Sequence, residues 1–113
     1  MFQGEEIVLR AQGSFQEGRY GSSWRLGHLY VTNKRLFFIQ VTKWLLEVGL
    51  DEIRDVRVVK RRWLLAVRIR QLRLSFKSGG GERTAYIAVE RPERKVETIR
   101  ERMTRALVDR EWG

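Results

Sequence analysis

Cysteine is absent from the 113 residues of this chain. Disulfides, thiolate metal centres and cysteine nucleophiles are therefore excluded, and the chain fits a reducing compartment without requiring one. Histidine occurs once, with no second metal ligand near it in sequence, so His28 is expected to be a structural residue of a strand. No metal or other cofactor is expected. No stretch approaches the roughly 18 apolar residues of a membrane span. Met1 to Gly4 carries no basic segment followed by an apolar run. The expectation is a soluble, cytoplasmic protein, peripheral on the inner membrane face. Catalytic patterns are also missing. Glu47, Asp51, Glu52 and Asp55 form no recognisable acid–base pair, and no serine sits in a nucleophile elbow. Gly79-Gly80-Gly81 lacks the following Lys-Ser/Thr of a phosphate loop and precedes strand-like sequence, so it reads as a turn. No enzyme is expected.

Positive charge is what the chain has in abundance. Its 23 basic and 14 acidic residues give a net charge of +9, and a pI near 10.8 points towards anionic partners. Of the 23 basic residues 18 are arginine, whose planar fork suits bidentate phosphate binding better than an ammonium does. The same bias is what a GC-rich genome writes. Residues 54–77 hold nine basic residues against the single acid Asp55, a surplus of eight, so almost the whole imbalance lies in that stretch. A chain of this length forms one domain, residues 1–113, burying roughly two thirds of its surface around a single core.

The organising stretch runs from Arg25 to Val41. Two runs rich in β-branched, aromatic and leucine residues flank Thr32-Asn33-Lys34-Arg35, where Asn33 is suited to the left-handed conformation of a tight turn. This predicts a β-hairpin with Leu29, Val31, Phe37 and Ile39 on one phase and Tyr30, Leu36 and Phe38 on the other. A hairpin apolar on both faces belongs inside a sheet that is covered or curled upon itself. The pattern Gly27-x-Leu29-x-Val31-Thr32-Asn33-x-Arg35-Leu36-x-Phe38 resembles the hairpin of GRAM domains and related small bacterial domains of the pleckstrin-homology-like superfamily. Val48-Gly49-Leu50-Asp51-Glu52-Ile53-Arg54-Asp55-Val56 is similar to that family's next landmark. The two motifs cover about a quarter of the chain. The resemblance implies a mainly β, partly open barrel of seven antiparallel strands in two near-orthogonal sheets, over about 5–89, capped by a C-terminal helix over about 92–111.

Strands are expected over 5–12, 45–50 and 54–60, with turns at Thr42-Lys43-Trp44 and Lys60-Arg61-Arg62-Trp63. In the long strand 64–77, Val67 and Ile69 sit at odd positions whereas Leu72, Leu74 and Phe76 sit at even ones. A β-bulge near Arg70-Gln71 would turn both halves inward. Arg68, Arg70, Arg73 and Lys77 would then face outward with Arg57 and Arg61, as one basic surface. Pro92 opens the helix, and Val96, Ile99, Met103, Ala106 and Leu107 form its apolar stripe.

Alternation of turns in a simple meander places Lys43-Trp44 beside Lys60-Arg61-Arg62-Trp63 and the 15–25 loop. Cations next to tryptophan suit an anionic membrane, with Trp44 and Trp63 at the headgroup level. The resemblance implies lysine and arginine clustered after the first strand of a phosphoinositide binder; here only Arg19 and Arg25 are basic, opposed by Glu17. The expected function is a non-enzymatic module binding anionic phospholipid headgroups through Lys43, Arg57, Lys60, Arg61, Arg62, Arg68, Arg70, Arg73 and Lys77. Alternatives are an acidic protein partner or self-assembly on the same face, and, with less support, nucleic acid.

Overall fold

A computed structural model describes residues 4–17, 24–64 and 67–112, with no side-chain description for 63, 64 and 109–112. Its strands are β1 (Ile7–Glu17), β2 (Arg25–Thr32), β3 (Arg35–Gln40), β4 (Lys43–Gly49), β5 (Ile53–Leu64), β6 (Val67–Ser78) and β7 (Gly81–Val89). A single 3₁₀ turn (Leu50–Glu52) links β4 to β5, and helix α1 (Pro92–Trp112) follows β7. Hydrogen bonds join all seven antiparallel strands into one open sheet, in the order β4-β3-β2-β1-β7-β6-β5. The two groups of strands meet at β1, which pairs with β2 over Ile7–Phe15 and with β7 over Gly13–Glu17.

That corner depends on a missing side chain. A Cβ at Gly13 would lie 2.5 Å from the Ala88 carbonyl oxygen, so only glycine lets β7 approach β1 this closely. The first strand thus continues past the expected loop start, and Phe15 enters the core against Phe38, ring centroids 5.4 Å apart. The core gathers Leu29, Val31, Leu36, Phe38, Val48, Val56, Leu72, Leu74, Phe76 and Ile87, with Val96 and Ile99 of α1.

The central hairpin forms where expected, but its faces combine differently. A two-residue connection pairs Leu29 with Phe38 and Val31 with Leu36, so odd positions of β2 share a face with even positions of β3. Phe37 and Ile39 consequently lie outside, opposite Tyr30 and His28. There Tyr30 stacks on Phe37 at 5.0 Å and Phe37 on Trp44 at 4.6 Å, a ladder of rings across three strands.

Asn33 is not left-handed; the non-glycine residues with positive φ among those described are Val41 and Arg91. The Thr32 hydroxyl organises the turn instead, accepting from the Lys34 and Arg35 amides at 3.0 Å each. Asn33 ties down the N-terminal segment, donating from Nδ2 to the Gly4 carbonyl and accepting at Oδ1 from the Glu6 amide, both at 2.9 Å. The turn after β3 is Val41-Thr42, and Lys43 and Trp44 already belong to β4. Val41 has φ 56° and is 92 % exposed. A β-branched residue in that region is strained by about 1 to 2 kcal/mol. Val41→Asn should therefore raise the melting temperature by several degrees, roughly 4 °C per kcal/mol recovered; thermal unfolding followed by circular dichroism checks this.

No bulge interrupts β6 at Arg70-Gln71. Its pairing with β5 is continuous from Ser75 to Arg68, and the irregularities fall at the ends of β5 instead. Unbroken alternation leaves Val67 and Ile69 on the face opposite to that of the core residues Leu72 and Leu74; Val67 is 53 % exposed. Lys60, Arg61 and Arg62 belong to β5 rather than to a turn. The glycine turn is as expected, with Gly79 and Gly80 at φ 56° and 85°, the two positive values a two-residue hairpin of this kind requires.

Helix α1 packs across β5, the 3₁₀ turn and β6. Val96 and Ile99 are buried and Met103 and Ala106 lean on the core, while Leu107 at 56 % exposure and Val108 turn away from it. Arg100 donates from Nε to the Val56 carbonyl at 3.0 Å, satisfying an acceptor on the outer edge of β5. Glu101 and Arg105 form an (i, i+4) pair at 3.4 Å on the helix. No helix of the described residues is long and apolar enough to cross a membrane.

Candidate anion-binding surface

The basic stretch folds into a two-stranded ribbon. β7 pairs with β6 over Leu72–Ser78, so residues 67–71 of β6 are paired with β5 alone in that direction. Within the ribbon Lys60 stands opposite Arg70 and Arg62 opposite Arg68, on the face that bears Leu72 and Leu74 further along. Arg57 stands opposite Arg73 on the other face, where Arg61 is two pairs further on, opposite Ile69. Continuous alternation has this consequence. The expected single basic surface is divided, with Lys60, Arg62, Arg68 and Arg70 on the helix-bearing face and Arg57, Arg61, Arg73 and Lys77 on the outer one.

Compensation within each set is partial. Arg70 pairs with Glu93 of α1, and Arg57 with Asp55 at 2.5 Å. Arg68 donates to the Lys60 carbonyl at 3.4 Å, a weak contact that neutralises nothing. Like charges directly opposite on a sheet destabilise it by roughly 0.2–1 kcal/mol per pair.

Arg61 is the most constrained of the group. Its Nη1 donates to Gln16 Oε1 at 2.7 Å and to Gln71 Oε1 at 3.3 Å, while Gln71 Nε2 donates back to the Arg61 carbonyl at 3.2 Å. The guanidinium carbon lies 3.7 Å from the Tyr86 ring centroid and 5.9 Å from that of Trp24. Gln71 is wholly buried beneath this arrangement. Arg73 carries a buried Nε for which no acceptor is present among the described residues.

The remaining candidates lie elsewhere. Trp44 borders a cleft of about 330 Å³ together with Lys77, Ser78 and Gly79. Lys77 is ten residues along β6 from Val67, which at about 3.3 Å per residue separates the two ends of the ribbon by about 33 Å. Lys43 begins β4 beside Trp44. The turn grouping expected from a simple meander therefore does not occur: β1 and β7 are antiparallel, whereas strict alternation over seven strands would run them parallel. The Trp63 side chain lies outside the described residues, as do residues 18–23; the backbone of Trp63 is part of β5. His28 is half-buried, 6.4 Å from Tyr30 between ring centroids, in the aromatic ladder. No group of histidines and carboxylates suited to a metal is present among the described residues.

Gln16, Gln71 and Tyr86, the partners of Arg61, were not among the expected site residues. Their only signal was polar and aromatic character at outward positions, which becomes informative once the register is known.

No protein-family model and no curated protein matches this chain. Solved structures do. The N-terminal PH domain of Vps36 superposes with a TM-score of 0.71 at 18% identity, covering 96% of this chain and 86% of that one. The C-terminal domain of a Leishmania infantum protein gives a TM-score of 0.63 at 15% identity, covering 89% and 86% respectively. These likenesses establish a pleckstrin-homology-like fold.

Proposed function

We propose that this chain is a non-enzymatic, GRAM-like module that associates peripherally with anionic phospholipid surfaces through the β5–β6 ribbon. The observation that carries this reading is the placement of Lys60 opposite Arg70 and Arg62 opposite Arg68, with Arg70 the one of these four in an ion pair among the described residues. Two like-charged pairs in succession weaken a ribbon unless anions compensate them. A phosphate-rich surface supplies such anions along both strands at once. Leu64 and Val67 pair at the end of the ribbon, beside Trp63 in sequence, which puts apolar residue types next to the cations. That combination suits the boundary between headgroups and acyl chains. The cytoplasmic leaflet, being anionic, is the surface with the matching charge.

Vesicle co-sedimentation tests the proposal. Binding should rise with the phosphatidylglycerol fraction of phosphatidylcholine vesicles and fall steeply with salt. Equal binding to neutral vesicles would overturn it, and no binding to any vesicle would transfer the basic ribbon to an acidic protein partner.

A further inference from the structure

The outer face of the same ribbon carries a second feature, which membrane association through the opposite face does not use. Arg57 and Arg73 are directly opposite one another, which brings their Cβ atoms to about 5 Å. Tyr86 is opposite Arg73 on the other side, and Gln16 is opposite Tyr86. Arg61 reaches into this row over Gln71 and is fixed there by two glutamine oxygens and the Tyr86 ring.

We infer that Arg57, Arg61 and Arg73 form a discrete site for a phosphate-class oxyanion on the outer face of β5 and β6. Three observations converge. Arg73 Nε is buried without an acceptor among the described residues, and an unmade bond to a buried charged donor is costly. Arg61 pairs with no carboxylate among the described residues, although its side chain is held by neutral partners. Immobilising an arginine costs side-chain entropy, and a fixed fork is the form in which arginine takes up a tetrahedral oxyanion through two bonds. Arg57 supplies the third cation, and its neighbour Asp55 is the acid that a bound anion would compete with. Gln16, Gln71 and Tyr86 act as positioning groups for Arg61.

The anion is either a soluble phosphate or the phosphomonoester headgroup of a lipid, and the experiment separates the two. Inorganic phosphate is titrated into the ¹⁵N-labelled chain at constant ionic strength while the side-chain Nε–H resonances of arginine are followed. A parallel titration uses vesicles containing phosphatidic acid. The expected result is a saturable shift of the Arg73 Nε–H resonance, with apparent affinity at least tenfold lower in Arg57→Gln and in Arg61→Gln. A shift with phosphate assigns a soluble ligand; a shift with phosphatidic acid alone assigns the lipid. No saturable shift with either, or an unchanged titration in both variants, would overturn the inference. Arg62→Ser/Arg68→Ser keeps the outer face intact. Its phosphate titration should be that of the wild type whatever becomes of vesicle binding, so failure of one reading is not failure of the other.

Discussion

Replacing Glu5 by glutamine should destabilise the fold by about 3 kcal/mol, within the range for breaking a buried, hydrogen-bonded ion pair. Glu5 is buried, although it lies in the short segment before β1. Its carboxylate accepts from Thr32 Oγ1 at 2.7 Å and from Arg35 Nε and Nη2 at 2.8 and 3.2 Å. Arg35 in turn pairs with Glu47 of β4 and stacks over Phe37 and Trp44, at 5.1 and 5.2 Å from their centroids. One carboxylate thus anchors the N-terminal segment, the β2–β3 turn and the aromatic ladder together. Burial opposes its ionisation, but the hydrogen bonds from Arg35 and Thr32 outweigh burial and hold the Glu5 carboxyl below the usual carboxylate range. Because the folded state holds the proton less tightly than the unfolded chain, this stabilisation is complete above the ordinary carboxylate pKa and fades as the pH falls through it and below. The gap in melting temperature between wild type and Glu5→Gln should be widest at neutral pH, about 12 °C at roughly 4 °C per kcal/mol. It should narrow below about pH 4, where an ordinary glutamate protonates. A gap independent of pH would contradict the ion-pair account.

An effect of similar size is expected from Gly27→Ala. Gly27 is buried in β2, and a Cβ there would lie 2.3 Å from the Ile39 carbonyl oxygen and 2.8 Å from Phe38 Cε1. Its φ is not among the positive ones, so the requirement is for space rather than for a glycine-only conformation. The obstacle is backbone of the neighbouring strand, which cannot swing aside as a side chain can. Relief requires β2 and β3 to separate next to Phe38, the largest fully buried residue among those described. Overpacking of this kind costs about 3 kcal/mol, read as a lower urea midpoint with an unchanged slope. A loss below about 1 kcal/mol would mean that the strands part more readily than their packing indicates.

Much of the fold was legible because its signals are local. Alternating apolar residues around Thr32–Arg35, the triple glycine, Pro92 and the stripe from Val96 to Ala106 each specify an element without reference to distant ones. Errors arose where a residue's role depends on what lies across the sheet. The odd-to-even exchange between Leu29/Val31 and Leu36/Phe38 follows from a two-residue turn that the sequence pattern left open. Val67 and Ile69 suggested a bulge because apolar residues were expected to face the core; the unbroken register of β6 leaves them on the outer face instead. Division of the arginines between two faces follows from that single point. The contacts of Arg61 with Gln16 and Tyr86 span 45 and 25 positions in sequence, and no periodicity within one strand encodes them.

Under the proposed function, position and not net charge alone directs this chain to an anionic surface. The most direct test compares two doubly substituted proteins of equal charge, Arg62→Ser/Arg68→Ser on the ribbon and Lys43→Ser/Lys77→Ser at the other end of β6, by co-sedimentation with phosphatidylglycerol vesicles. At about 1 kcal/mol for each basic residue near the surface, the ribbon variant should bind roughly thirtyfold more weakly than wild type, and the other variant within a few-fold of it. Equal losses in the two variants would contradict the account and leave only the overall charge of the chain as the cause of binding.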